Sequence, residues 1–150
     1  IVDDRDVPVK LRIYDSLFVP MAKWSMLLTG NYQCVQRDGV RAIRDAVHGD
    51  LAASADMYAW VDTLARALGA DAADQVPFEK YANAASSLLK PSSAARAIDG
   101  GAKTIERVDH LVQRIAASIG MQNDLLDETV VIVNERLAAN RSEAPFIKVA

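Results

Sequence analysis

The stretch from Leu89 to Gly120, LKPSSAARAIDGGAKTIERVDHLVQRIAASIG, leaves the chain few options. Pro91 breaks whatever precedes it, because it lacks an amide proton and fixes φ. Ser92 is placed as an N-cap: its hydroxyl can accept from a free amide in the first helical turn. A short helix then runs to about Asp99, and Gly100-Gly101 ends it, since glycine enters positive φ at little cost. A longer amphipathic helix follows. Ile105, Val108, Val112, Ile115 and Ile119 fall on one face, and Glu106, Asp109 and His110 on the polar one. Gly120 closes it.

The rest of the chain repeats this helical grammar. Tyr14, Leu17, Phe18, Met21, Trp24 and Leu28 share about a third of a helical wheel, in a pattern that begins at Leu11. Pro20 interrupts it, either kinking the helix or standing in the first turn of a new one. Asp38-Gly39 marks a turn, and a short helix carries Val40, Ile43, Ala46 and Val47. Gly49-Asp50 is a further break. Met57, Val61, Leu64 and Leu68 then repeat at helical spacing, with Gly69 closing. A helix from about Phe78 to Leu89 carries Tyr81, Ala84, Ala85 and Leu88. The last, from about Asp124 to Ala138, buries Leu126, Val130, Val133 and Leu137. Asp127 and Glu128 suit its positive end, and Arg136 its negative end. Strand-like alternation is scarce. The expected fold is therefore all-α, a bundle of about six to seven helices in one domain over residues 11–150. Residues 1–10, IVDDRDVPVK, are polar and unpatterned and read as a linker or tag-proximal segment.

Composition closes off several classes of function. At 150 residues with 51% apolar content, the chain can bury a core and is not of disordered type. A net charge of −3 gives no strong pull on nucleic acid or acidic membrane. One cysteine excludes an internal disulfide framework and fits a reducing cytoplasm; with two histidines it is too few for a structural zinc site, so no metal is expected. No apolar run approaches the ~18 to 20 residues of a membrane span. Cys34 and His48 are a conceivable nucleophile and base, but nothing in their spacing places them together. His110 reads first as a solvated side chain.

Lys23 lies off the apolar stripe of its helix. Asn31 is eight residues on, about 80° around and about 12 Å along, so both can line one groove if the helix continues. Lys23 reads otherwise as a solvated lysine, and Gly30-Asn31 as a helix-ending pair.

Taken together, Ser92-Ser93, the Gly100-Gly101 elbow, Lys103-Thr104-Ile105-Glu106 and the Lys23-to-Asn31 spacing resemble the C-terminal domain of the ketopantoate reductase family. That family has a serine pair, a short helix, a glycine-containing elbow, a Thr-Glu-Ile-Asp box and a long helix ending in glycine, and, further upstream, a lysine followed by asparagines four and eight residues later. The likeness runs from about Met21 to Leu137. It departs at two places: Leu27 stands where the middle asparagine belongs, and the box glutamate falls, by spacing from the serines, on Thr104. Glu106 lies two residues on, about 200° around if that stretch is helical, and cannot simply replace it.

The resemblance implies an NADPH-dependent reduction of 2-dehydropantoate to pantoate, or of a related 2-keto acid. A lysine ammonium can both donate the proton and stabilise charge growing on the keto oxygen, and Lys23 matches the family's catalytic lysine. Asn31 would orient the lysine or the substrate hydroxyl, Ser92 would contact the carboxylate or hydroxyl, and Thr104 would occupy the box position at the substrate. No G-x-G occurs in the chain, so the Gly-rich turn that cradles a dinucleotide is not in it. NADPH is then expected on a Rossmann-type N-terminal domain of the same parent chain, upstream of Ile1, which is not a methionine, and the isolated chain is expected to be inactive. Two Trp, four Met and an alanine-rich surface make a homodimer the expected assembly. The competing classes are a helical dimerisation or adaptor domain without catalytic residues, and an opine- or hydroxyacid-type dehydrogenase with another substrate.

Overall fold

The computed structural model describes residue 13 and residues 16–142. Residues 1–10, Leu11 and Tyr14 lie outside the described residues. Among the described residues, seven α-helices and one small β-hairpin, with short π and 3-10 turns, make up the regular structure, an all-α fold as expected: α1 Lys23–Met26, β1 Val35–Gln36, β2 Gly39–Val40, α2 Ile43–His48, α3 Leu51–Ala67, α4 Phe78–Ala85, α5 Ser93–Asp99, α6 Val108–Ser118 and α7 Asp124–Ser142.

α1 does not stop at Met26. It runs on through a π-helical turn, Leu27–Asn31, and a 3-10 turn, Tyr32–Cys34. This continuous segment is the axis of the molecule, with Leu28, Tyr32 and Cys34 buried on it. Around it α3, α5, α6 and α7 supply Met57, Val61, Leu64, Ile98, Val112, Leu126, Val133 and Leu137 to one core. A second, smaller cluster of Val47, Tyr58, Tyr81, Ala82 and Ala85 joins α2, α3 and α4. Tyr58 packs against both Phe78 and Tyr81, with ring centroids 5.4 and 5.7 Å away.

Several elements differ from the expected ones, each for a local reason. Residues 17–22 form turns rather than a helix, and Leu17 is 84% exposed. Pro20 has no amide to extend a ladder there. α4 ends at Ala85, four residues early, leaving Leu88 and Leu89 exposed. The hydroxyls of Ser86 and Ser87 donate back to the carbonyls of Asn83 and Ala84, competing with the helix ladder. The irregular segment after it crosses to α2, whose first amides lack a side-chain cap: Ile43 and Arg44 donate to the carbonyls of Lys90 and Leu88. Val40 belongs to the hairpin, where it pairs with Val35.

α6 starts at Val108, so Ile105 and Glu106 precede the helix, and Ile119 is exposed beyond its end. The Tyr32 hydroxyl supplies the missing cap, accepting from the Val108 amide at 3.0 Å and donating to the Glu106 carbonyl at 2.6 Å. Burial of that hydroxyl pushes its pKa up. Asp109 is not on a solvated face. It is fully buried, and the Arg107 guanidinium grips both its oxygens at 2.9 Å. α7 extends to Ser142 because its last turns have partners. Asn140 donates to the carbonyls of Ile98 and Ala102, closing α5. Arg136 is therefore not a helix-end charge. It donates to the Gln36 and Gly39 carbonyls at 2.8 Å and to Asp99 at 3.0 Å, tying the hairpin to α5.

Ser92 caps α5 as expected, and Gly101, at φ +86°, makes the turn after it. α3 keeps its expected buried face, and Gly69 takes φ +110° at its end. Among the described residues no helix is long and apolar enough to cross a membrane.

Candidate functional site

The π-helical turn delivers Asn31 to the start of α5. A π turn slips the ladder by one residue: the Tyr32 amide bonds the Leu27 carbonyl, five residues back. Three side chains donate into the carbonyls along this stretch, two from distant helices and one from its own next turn. Tyr81 Oη reaches Met26 O at 3.1 Å, Cys34 Sγ reaches Gly30 O at 3.3 Å, and Ser92 Oγ reaches Asn31 O at 2.7 Å. Tyr81 can do so because residue 30 is glycine: a Cβ there would stand 1.9 Å from the Tyr81 hydroxyl oxygen. Apolar surroundings raise the Tyr81 phenol and the Cys34 thiol above their ordinary pKa values. Cys34 is a buried packing group here, and His48 bonds the Ala82 carbonyl instead at 2.9 Å.

Asn31 and Ser92, 61 residues apart in sequence, thus meet. They line one cavity of about 450 Å³ with Ile43, Lys90, Ser93 and Arg96. Ser92 is buried, and its hydroxyl already donates to Asn31 O and accepts from the Ala95 amide at 3.1 Å. One acceptor lone pair is left to it. Ser93 is exposed, so the hydroxyl with a proton to offer at this cavity is that of Ser93. Lys90 and Arg96 form no ion pair with a described carboxylate. The cavity is therefore cationic, with an amide, a hydroxyl and an apolar wall from Ile43: the donor set for a small organic anion.

Two expected members stand apart from it. Lys23 is exposed at the start of α1 and does not line this cavity. Thr104 is exposed in the irregular segment 102–107 and does not line it either. Because that segment is not helical, the 200° rotation assigned to Glu106 does not apply. Lys90 and Arg96 are assigned no role in the sequence reading, and Ser93 enters it only as the second serine of the Ser92-Ser93 pair. The signal was present in the three-residue spacing of Ser93 and Arg96 on a capped helix, next to Pro91. Trp24 and Met57 are core residues, so two of the large apolar groups expected at a dimer surface are used inside the protein.

The described residues do not fit a dinucleotide cradle. Their strands are two residues long, and no glycine-rich turn leads from a strand into a helix. Nor do they hold a cluster of three His, Cys, Asp or Glu arranged for a metal. No protein-family model, curated protein or solved structure matches this chain.

Proposed function

We propose that this chain is the substrate-binding domain of a 2-keto acid reductase of ketopantoate reductase type. The observation that carries the reading is the pairing of Asn31 with Ser92 at the wall of one cationic cavity. Two segments matched to the family on independent grounds meet there.

In this reading the substrate carboxylate lies against Lys90 and Arg96, with Ser93 donating a hydrogen bond. The Asn31 carboxamide makes no hydrogen bond among the described residues and is left to orient the substrate. Lys23, at the head of the same helical segment, supplies a proton to the keto oxygen as charge grows there. No contribution to binding NADPH is assigned to this chain, since its described residues lack a phosphate cradle. Leu27 and Thr104 replace polar groups of the family pattern, which favours a 2-keto acid with a less hydroxylated tail than 2-dehydropantoate.

The test is steady-state reduction of 2-dehydropantoate and a panel of aliphatic 2-keto acids with NADPH, by a protein carrying this chain behind its dinucleotide-binding half. Turnover of at least one panel member, with Arg96→Gln raising KM, is the expected result. Absence of turnover across the panel overturns the reading and leaves a helical adaptor or dimerisation domain.

A further inference from the structure

A second cavity, of about 300 Å³, lies on another side of the π-helical turn, between that turn, α2, α3 and α7. Its lining includes Thr29, Arg41, Asp50, Ser54, Met57 and Leu125. Thr29 is 1% exposed, and its hydroxyl has no hydrogen-bond partner among the described residues. A buried hydroxyl left unpaired is costly, so such a group in a cavity wall calls for a polar ligand atom. Ser54, buried on α3, adds a second hydroxyl.

The charges narrow the ligand further. Arg41 uses its Nε on the Gln33 carbonyl at 2.8 Å, and its terminal nitrogens bond no described residue. Asp50 caps α3 with one oxygen, accepting from the Ala53 amide at 2.9 Å, and the other oxygen is free. Arg41 and Asp50 form no ion pair with each other. One cation and one anion held apart in one cavity, over an apolar floor of Met57 and Leu125, match a molecule with both charges and a short apolar tail.

The geometry points to a binding site for a small zwitterionic α-amino acid. Its carboxylate pairs with Arg41, its ammonium with Asp50, and the Thr29 and Ser54 hydroxyls bond the carboxylate's remaining lone pairs. The site is separate from the cavity of Asn31 and Ser92 and does not rest on the reductase reading.

Titration of the 150-residue protein with L-alanine and L-valine, followed by amide chemical shifts, tests this. The expected result is saturable movement of the Thr29, Ala53 and Ser54 amides with a Kd of about 1 mM or tighter. Propionate, which lacks the ammonium, and propylamine, which lacks the carboxylate, should bind about tenfold more weakly. Asp50→Asn keeps a good helix cap while removing the charge, and Arg41→Gln removes the other. Each should weaken alanine binding about tenfold, and Thr29→Val should weaken it several-fold. Circular dichroism confirms the fold of each variant. Equal binding of propionate, undiminished binding in both charge variants, or no saturable shift with either amino acid overturns the proposal.

Discussion

The Tyr81 hydroxyl donates to the Met26 carbonyl at 3.1 Å and occupies the space that a side chain at residue 30 would need. Gly30→Ala should therefore destabilise the fold by about 1–3 kcal/mol, although alanine is the better helix former by ~1 kcal/mol. Tyr81→Phe alone leaves the Met26 carbonyl without this donor and costs about 1 kcal/mol. Combined, the two changes should be less damaging than their sum, because the clashing oxygen is gone. Urea unfolding of the wild type, both single variants and the double variant measures that coupling. Strict additivity would show that the π turn relaxes away from Tyr81.

The Arg107–Asp109 pair should be asymmetric. Asp109 is wholly buried, whereas the Arg107 side chain is 21% exposed and also donates to Asn134. Arg107→Ala strands a buried carboxylate and should cost about 3–5 kcal/mol. Asp109→Ala leaves a guanidinium that can still reach water and Asn134, and should cost clearly less. Chemical denaturation of the two variants compares them, and equal losses would contradict the geometry.

Ser92→Ala should behave as a structural change. It removes the cap of α5 and the donor to Asn31 O together. The sum of a lost cap and an unpaired buried carbonyl is about 2–4 kcal/mol. Ser93→Ala, exposed beside it, should leave the melting temperature almost unchanged. A Ser92→Ala protein as stable as wild type would show that these bonds are not made in solution.

Base sensitivity should be shared by the buried phenols, Tyr32, Tyr58 and Tyr81, all raised by burial, and Tyr58 is the one to follow. Burial pushes its phenol from 10.0 up to about 12. A raised folded pKa means that the unfolded chain releases this proton first as pH rises. The stabilisation is full below pH 10 and disappears between pH 10 and about 12. Urea midpoints at steps from pH 8 to 11 should fall toward the alkaline end. Tyr58→Phe, though weaker overall for lack of its bond to the Val76 carbonyl, should show a shallower fall.

How much of this was legible in the sequence depends on range. Ser92 as a cap, Gly69 and Gly101 as closures, and the buried faces of α3 and α7 follow from neighbours within a turn or two, and they are found as expected. The π turn carries no local signature. Its carbonyls are met from far along the chain by Tyr81 and Ser92, contacts that no local pattern announces. Asp109 looked solvated on a helical wheel because the wheel does not include Arg107, one residue outside the helix. Lys90 and Arg96 read as ordinary surface cations until the fold puts them beside Asn31. Asn31 and Ser92 were both named from sequence, but which part of Asn31 meets Ser92 was not: the contact uses its backbone carbonyl, leaving the carboxamide for a ligand.

That division of labour shapes the last prediction, which concerns an assembled reductase. Asn31→Ala leaves the Ser92 bond intact, since that bond is to the backbone. It should cost activity without costing stability. Arg96→Gln and Lys90→Gln each remove one charge from the carboxylate's surroundings. A hydrogen bond to a charged group is worth about 1.5–3 kcal/mol, so KM should rise about tenfold or more with kcat little changed, since that contact is equal in ground and transition states. Lys23→Ala should do the reverse. Losing a positioned proton donor costs about 10²- to 10⁴-fold in rate, or ~3 to 5 kcal/mol. The loss should fall on kcat because the contact strengthens as charge develops. Lys103→Ala, in the irregular segment before α6, is the control and should do little. Because Lys23 lies outside the cavity that holds Asn31, its assignment depends on substrate reaching from that cavity toward the head of α1. Steady-state kinetics of the five variants on the best 2-keto acid decides between the roles. A Lys23→Ala enzyme with near-normal kcat would remove Lys23 from the chemistry while leaving the carboxylate cavity standing on the Arg96 and Lys90 results.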